Sequence, residues 1–213
     1  MKLLHIVSLR SGQLKLLFDD GTELKTYPSV VEQFFLTENT DLTDSQMQAL
    51  REAASAMSAK QRAVRIVSAV GVSEKELQKR LVQKGEQEQD AAEAVSWLKE
   101  LHLLNDEQTA EQIVRSAVNR GYGRARVKNL LYEKGIPRQL WDEALSQVPD
   151  MDDAIERFLR QRLDGREIDD KLIKKTVDAL LRRGHSYGDI QNALQRYRSD
   201  CEIEPDFDPE EFS

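Results

Sequence analysis

The stretch NRGYGRARVKNLLYEKGIP, residues 119–137, decides how the rest of the chain is read. Gly121 and Gly123 bracket Tyr122, a run rich in Arg and Lys follows, and Gly135 with Pro137 closes it. Three readings compete: a loop that cradles phosphate, the entrance to a DNA-reading helix, or punctuation between helices. The glycine pair predicts a turn into a helix from about Arg124 to Glu133. Gly135 falls where a helix ends in the left-handed conformation that glycine adopts at little cost. Ile136 can then pack on Leu131, the contact a Schellman ending brings, and Pro137 suits the first turn of the next helix, where a missing N–H costs nothing. A phosphate loop is disfavoured, because no Gly-Lys-Ser/Thr follows these glycines and no long strand precedes them. Val127, Leu130 and Leu131 form one stripe of the helix, with Arg124 and Lys128 flanking it on one side and Arg126 on the other.

The same grammar recurs twice. LQKRLVQKG ends on Gly85 and VDALLRRG on Gly184, as VKNLLYEKG ends on Gly135. Four residues before these glycines stand Leu81, Leu131 and Leu180, and immediately before them Lys84, Lys134 and Arg183. Ten residues after them come Val95, Leu145 and Leu194, each preceded by an alanine. Each unit is led by a further helix, ending near Val70, Asn119 and Leu163. The expected fold is mainly α: three tandem three-helix repeats in an elongated helical array.

The first forty residues differ. LLHIVSLRSGQLKLLFDDGTELKTY alternates loosely and is broken at Ser11-Gly12 and Asp20-Gly21, the second a strong hairpin signal. Strands are expected near 2–9, 13–18 and 22–27, then a short helix from Ser29 through Leu36. Such a small antiparallel module is marginal by itself and must lean on the next part of the chain. From Leu42 the chain turns helical, with Thr43 or Asp44 as N-cap, and Ser73 with Glu76 reads as a capping box. The expected division is 1–40, a β module; 41–105, a connecting helix and the first repeat; 106–149 and 150–198, the second and third repeats; and 199–213, an acidic, disordered tail.

Charge is unevenly placed. The net charge of −7 is matched by seven acids and no base in 199–213. Between Gln112 and Trp141, Arg115, Arg120, Arg124, Arg126, Lys128, Lys134 and Arg138 face the single acid Glu133. An acidic chain with such a local segment can still meet a polyanion, since the field near a patch depends on nearby charges. A solvated helical surface is the plain alternative.

Other functions find little support. His5, His102 and His185 are scattered without metal-ligand spacing, and His185 reads as a loop histidine. Cys201 is the only cysteine and sits in the acidic tail, which disfavours a thiolate and leaves no internal disulfide. No nucleophile elbow occurs. Asp152-Asp153 and Asp169-Asp170 suit helix starts, where carboxylates complement the dipole. Trp97 and Trp141 read as core anchors, while Tyr122 either pins its turn to a neighbouring helix or faces a partner. The N-terminal MKLLHIVSLRSG reads as a strand rather than a signal peptide, and no apolar run is long enough for a membrane span. These features predict a cytoplasmic non-enzyme without cofactor, metal, membrane or small-molecule substrate.

The pieces AVRIV…SEKELQKRLVQKG, LLNDEQTAEQIVRS, RGYGRARVKNLLYEKGI and LLRRGHSYGDIQNAL resemble the bacterial recombination regulators of the RecX family. The resemblance covers roughly residues 58–198, and the Gly-Tyr-Gly turn with its basic helix and Lys-Gly-Ile is its most specific part. The chain departs from the family at Val70-Gly71-Val72, where a basic residue is usual, at His102-Leu103, in place of a Gly-aromatic pair, and at Thr109, in place of Phe. The resemblance implies a partner: the helical filament that RecA recombinase forms on single-stranded DNA, whose assembly, ATP turnover and strand exchange such proteins restrain in recombination and repair. Candidate contacts to the filament, or to single- or double-stranded DNA, are Arg115, Arg120, Tyr122, Arg124, Arg126, Lys128, Lys134, Arg138, Arg182 and Arg183. A helix–turn–helix-like DNA-binding protein and a helical-repeat interaction scaffold are the alternatives.

Overall fold

A computed structural model describes residues 1–200. They divide into two compact units, Met1–Asn105 and the part that begins at Asp106.

In the first unit, β1 (Leu3–Ser8), β2 (Leu14–Phe18) and β3 (Glu23–Thr26) form an antiparallel sheet in chain order. The β2–β3 turn is set by Asp20, whose carboxylate accepts from the backbone N–H and the hydroxyl of Thr22 at 2.8 and 2.7 Å, with Gly21 in the left-handed region. A short helix α1 (Pro28–Gln33) comes next, beginning one residue before the expected Ser29 and ending three before Leu36. Alternation buries Leu3, Leu16 and Phe18 on one face, and Val30, Leu36, Leu42, Met47 and Leu50 cover them. The last two come from α2 (Asp44–Ala69), which opens with Thr43 in a reciprocal capping box with Gln46. Both groups in that box satisfy N–H donors that a helix start leaves unpaired. The other end of α2 packs Ala59 and Ala63 against α3 (Glu74–Gln83) and α4 (Glu88–Glu100), around Leu77, Leu81 and Leu98. One long helix therefore serves both the sheet and the first three-helix repeat.

The second unit holds two more repeats. The second comprises α5 (Asp106–Asn119), α6 (Arg124–Glu133) and α7 (Trp141–Ser146), with a 3-10 turn at Arg138–Leu140 before α7. Pro137 therefore does not occupy the first turn of an α-helix; it caps the 3-10 turn, and α7 starts three residues later than α4 and α10 start after their own glycines. The indole N–H of Trp141 donates to the Ile136 carbonyl at 2.9 Å, closing this bend from inside. The third repeat comprises α8 (Asp152–Leu163), α9 (Asp170–Arg182) and α10 (Tyr187–Asp200). Arg196 ties α10 to Asp152 and Glu156 of α8 at 2.8 and 2.7 Å, and Arg160 pairs with Asp200 at 2.8 Å. Ser199 and Asp200, expected in the tail, thus belong to the last helix. The remainder of the expected tail, 201–213, lies outside the described residues.

The repeated sequence grammar is a repeated ending. Gly85, Gly135 and Gly184 have φ of +92°, +71° and +86°. The N–H of the following residue, Glu86, Ile136 or His185, bonds back to the carbonyl of Leu81, Leu131 or Leu180 at 3.1, 3.0 and 3.3 Å. This is the Schellman pattern, which satisfies carbonyls a helix C-terminus leaves open. The three leucines are completely buried, each contributing about 1.5–3 kcal/mol by leaving water.

Candidate functional site

The Gly-Tyr-Gly turn and the Gly184 turn meet. The carbonyls of Arg183 and Gly184, at the end of α9, accept from the N–H groups of Gly123 and Ala125, at the start of α6, at 2.9 and 3.2 Å. The C-terminus of one helix thus docks on the N-terminus of another. Each supplies the partners the other lacks, and opposite dipole ends face each other. The approach leaves no room for a side chain. A Cβ on Gly123 would lie 2.3 Å from the Gly184 oxygen, and one on Gly184 would lie 2.2 Å from the Arg126 nitrogen. Two amides that a phosphate loop would aim at its anion are here committed to carbonyls.

Side chains close the contact. An Nη1 hydrogen of Arg183 donates to the Arg120 carbonyl at 3.1 Å. The same guanidinium lies 4.7 Å from the Phe158 ring centre and 5.8 Å from that of Tyr122, within cation–π range. Tyr122 is half-buried and packs against the core of the second repeat. His185 is only 6 % exposed, although it sits in the turn where a loop histidine was expected. Its Nε2 stands 3.0 Å from the Gly121 carbonyl, which can only accept, so Nε2 carries the proton. Burial pushes the imidazole below its ordinary pKa; the Gly121 bond opposes this, Arg183 adds to it and Asp189 opposes it.

The other sequence-selected residues disperse. Arg124 turns its guanidinium to the Leu145 carbonyl at 2.9 Å, capping the end of α7. Arg126 pairs with Glu133 at 3.0 Å along α6. Arg138 lies over the Trp141 ring at 5.8 Å, and Lys134 is half-buried. Arg115, Arg120, Lys128 and Arg182 are exposed, as Arg124 and Arg138 are despite these contacts. Sequence reasoning passed over Arg157 on α8 and Lys171, Lys174 and Lys175 on α9, all exposed bases in the third repeat. Their signal is the polar face of α9, opposite buried Ile173, Val177 and Leu180; interleaved Asp169, Asp170 and Asp178 hide it from a count of net charge. Among the described residues, no group of His, Cys, Asp and Glu could hold a metal ion, and no helix is long and apolar enough to cross a membrane.

These features define a tandem three-helix-repeat protein whose second and third repeats carry exposed bases beside a closed glycine junction. Residues 105–145 match the family profile described as "RecX, second three-helix domain". "Regulatory protein RecX" of Clostridium perfringens (strain SM101 / Type A) is 34% identical over 143 residues, an alignment covering 64% of this chain and 66% of that protein. "Regulatory protein RecX" of Clostridioides difficile (strain 630) is 27% identical over 184 residues, covering 84% and 86%. A crystal structure of regulatory protein RecX superimposes with a TM-score of 0.65 at 23% identity, over 90% of this chain and 98% of the other. The chain belongs to the RecX family of regulatory proteins.

Proposed function

We propose that this protein is a cytoplasmic, non-enzymatic regulator that binds the RecA recombinase filament on single-stranded DNA and restrains its assembly, ATPase and strand exchange. The observation that carries the reading is the match to proteins named regulatory protein RecX, joined to exposed bases on consecutive repeats. Consecutive repeats can touch several protomers of a helical filament, and several modest contacts give avidity that one does not. Arg115, Arg120, Lys128 and Arg182 are the contacts we favour, because they are exposed, whereas the equally exposed Arg124 and Arg138 are engaged by the Leu145 carbonyl and the Trp141 ring. Arg124, Arg126, Lys134, Arg138, Tyr122 and Arg183 contribute through the shape of the surface. The test is the ATPase rate of the cognate recombinase on single-stranded DNA with and without the protein. Depression of the rate at stoichiometric or lower ratios is expected; an unchanged rate and unchanged strand exchange with folded protein would refute the proposal.

The second reading is direct recognition of duplex DNA by a helix–turn–helix-like pair. Lys128 and Asn129 are both exposed on α6, as a base-reading helix would require. Preference for a bare duplex over recombinase-coated single strand in a gel-shift comparison would favour it.

A further inference from the structure

We infer that the contact between the end of α9 and the start of α6 is a lock that sets the third repeat on the second, and that Arg183 is a positioning residue within it rather than a contact to the partner. The inference rests on the proposed function, in which exposed bases of both repeats meet one polyanionic filament. Two backbone hydrogen bonds join the helix ends, and His185 adds a third bond from the third repeat to Gly121. Arg183 spans the seam. Its backbone carbonyl accepts from Gly123, its guanidinium donates to the Arg120 carbonyl, and the same guanidinium lies over the rings of Phe158 of α8 on the third repeat and Tyr122 on the second. The neighbouring Arg182 is exposed in the last turn of α9. Adjacent arginines thus divide the work: Arg182 faces solvent, and Arg183 holds the body that presents it.

A charge contact and a positioning residue respond differently to lysine. Lysine keeps the charge that a phosphate contact uses. It lacks the planar fork that stacks on a ring while donating sideways to a carbonyl. Fixed repeats also let their contacts act together, whereas repeats free to pivot lose the effective concentration that one contact supplies to the next.

The experiment uses the full chain with Cys201→Ser, carrying one spin label in the second repeat and one in the third, at the exposed positions Gln112→Cys and Gln161→Cys. Double electron–electron resonance should give one narrow distance distribution for the parent and for Arg182→Ala, and a broadened one for Arg183→Ala and Arg183→Lys. Binding to recombinase-coated single-stranded DNA is then measured against salt. Arg182→Ala should lower the salt slope by about 0.7–0.9, the value of one phosphate contact. Arg183→Lys should weaken binding about tenfold or more, although no charge is lost. A narrow distribution for Arg183→Lys, or full binding by it, overturns the inference. Should Arg183→Ala not fold, Arg183→Lys carries the same test. Absence of filament binding by the parent removes the functional reading alone, because the distance distributions report the lock without it.

Discussion

At Gly135 the residue after the turn is Ile136, and at Gly184 it is His185; both are buried, and both bond back to the leucine four residues before the glycine. Ile136 enters the core of its own repeat beside Leu131 and Trp141. His185 instead points its donor at Gly121, in the preceding repeat. The first repeat gives a third solution, Glu86, which accepts from Ser58 and pairs with Arg62 on α2. One backbone motif therefore fixes where a side chain is buried, and the chemistry of that side chain decides what it is tied to. An apolar residue closes a core. A polar one must bring a partner, since an unpaired buried polar group costs about 1–3 kcal/mol, and the partner makes a specific connection.

The largest difference should come from the glycines. Gly184→Ala forces a Cβ into the Arg126 backbone as well as into the left-handed region, whereas an alanine at Gly85 meets nothing within 4 Å. The first substitution should destabilise by about 2–4 kcal/mol and the second by about 1 kcal/mol, read as shifts of the urea midpoint at constant m. Equal losses would mean that the contact at Gly184 carries no weight beyond the turn.

A smaller effect separates the buried side chains by pH. His185 is held below its ordinary value of 6.5, first by burial. The unfolded chain therefore takes up this proton at a higher pH than the folded one, and acidification favours unfolding. The contribution is intact above about pH 6.5 and is lost as pH falls below it. His185→Gln keeps an N–H donor for Gly121 and removes the titration, so its urea midpoint should fall less between pH 7.5 and 5.5 than that of the parent. An equal fall would place the titrating group elsewhere.

What the sequence declared is what local chemistry decides. Thr43 and Ser73 cap helices through groups three residues away, and Gly85, Gly135 and Gly184 take left-handed backbone at helix ends. The Asp20-Gly21 hairpin is equally local. Gly123 shows the limit. Its own backbone, φ −76°, suits any residue. The need for glycine comes from the Gly184 carbonyl in another repeat, which no local pattern contains. Long side chains were opaque for a different reason, their reach. Arg124 and Arg126 stand two apart in sequence, yet one ends on a carbonyl of α7 and the other on a carboxylate seven residues along its own helix. Spacing assigns a base to a helix face, but the acceptors within reach of its long side chain decide where its charge is held.

That distinction leads to the central measurement, the salt dependence of binding to recombinase-coated single-stranded DNA by the parent and by Arg120→Ala/Lys128→Ala/Arg182→Ala. These three side chains are exposed, and each removal should change stability by less than about 0.5 kcal/mol. If the second and third repeats present them to the polyanion, the triple variant should remain folded, bind more weakly and show a flatter slope of log affinity against log salt, by about 2 for three contacts to single strands. Unchanged affinity with an unchanged slope would contradict the account and leave these bases as ordinary solvated surface.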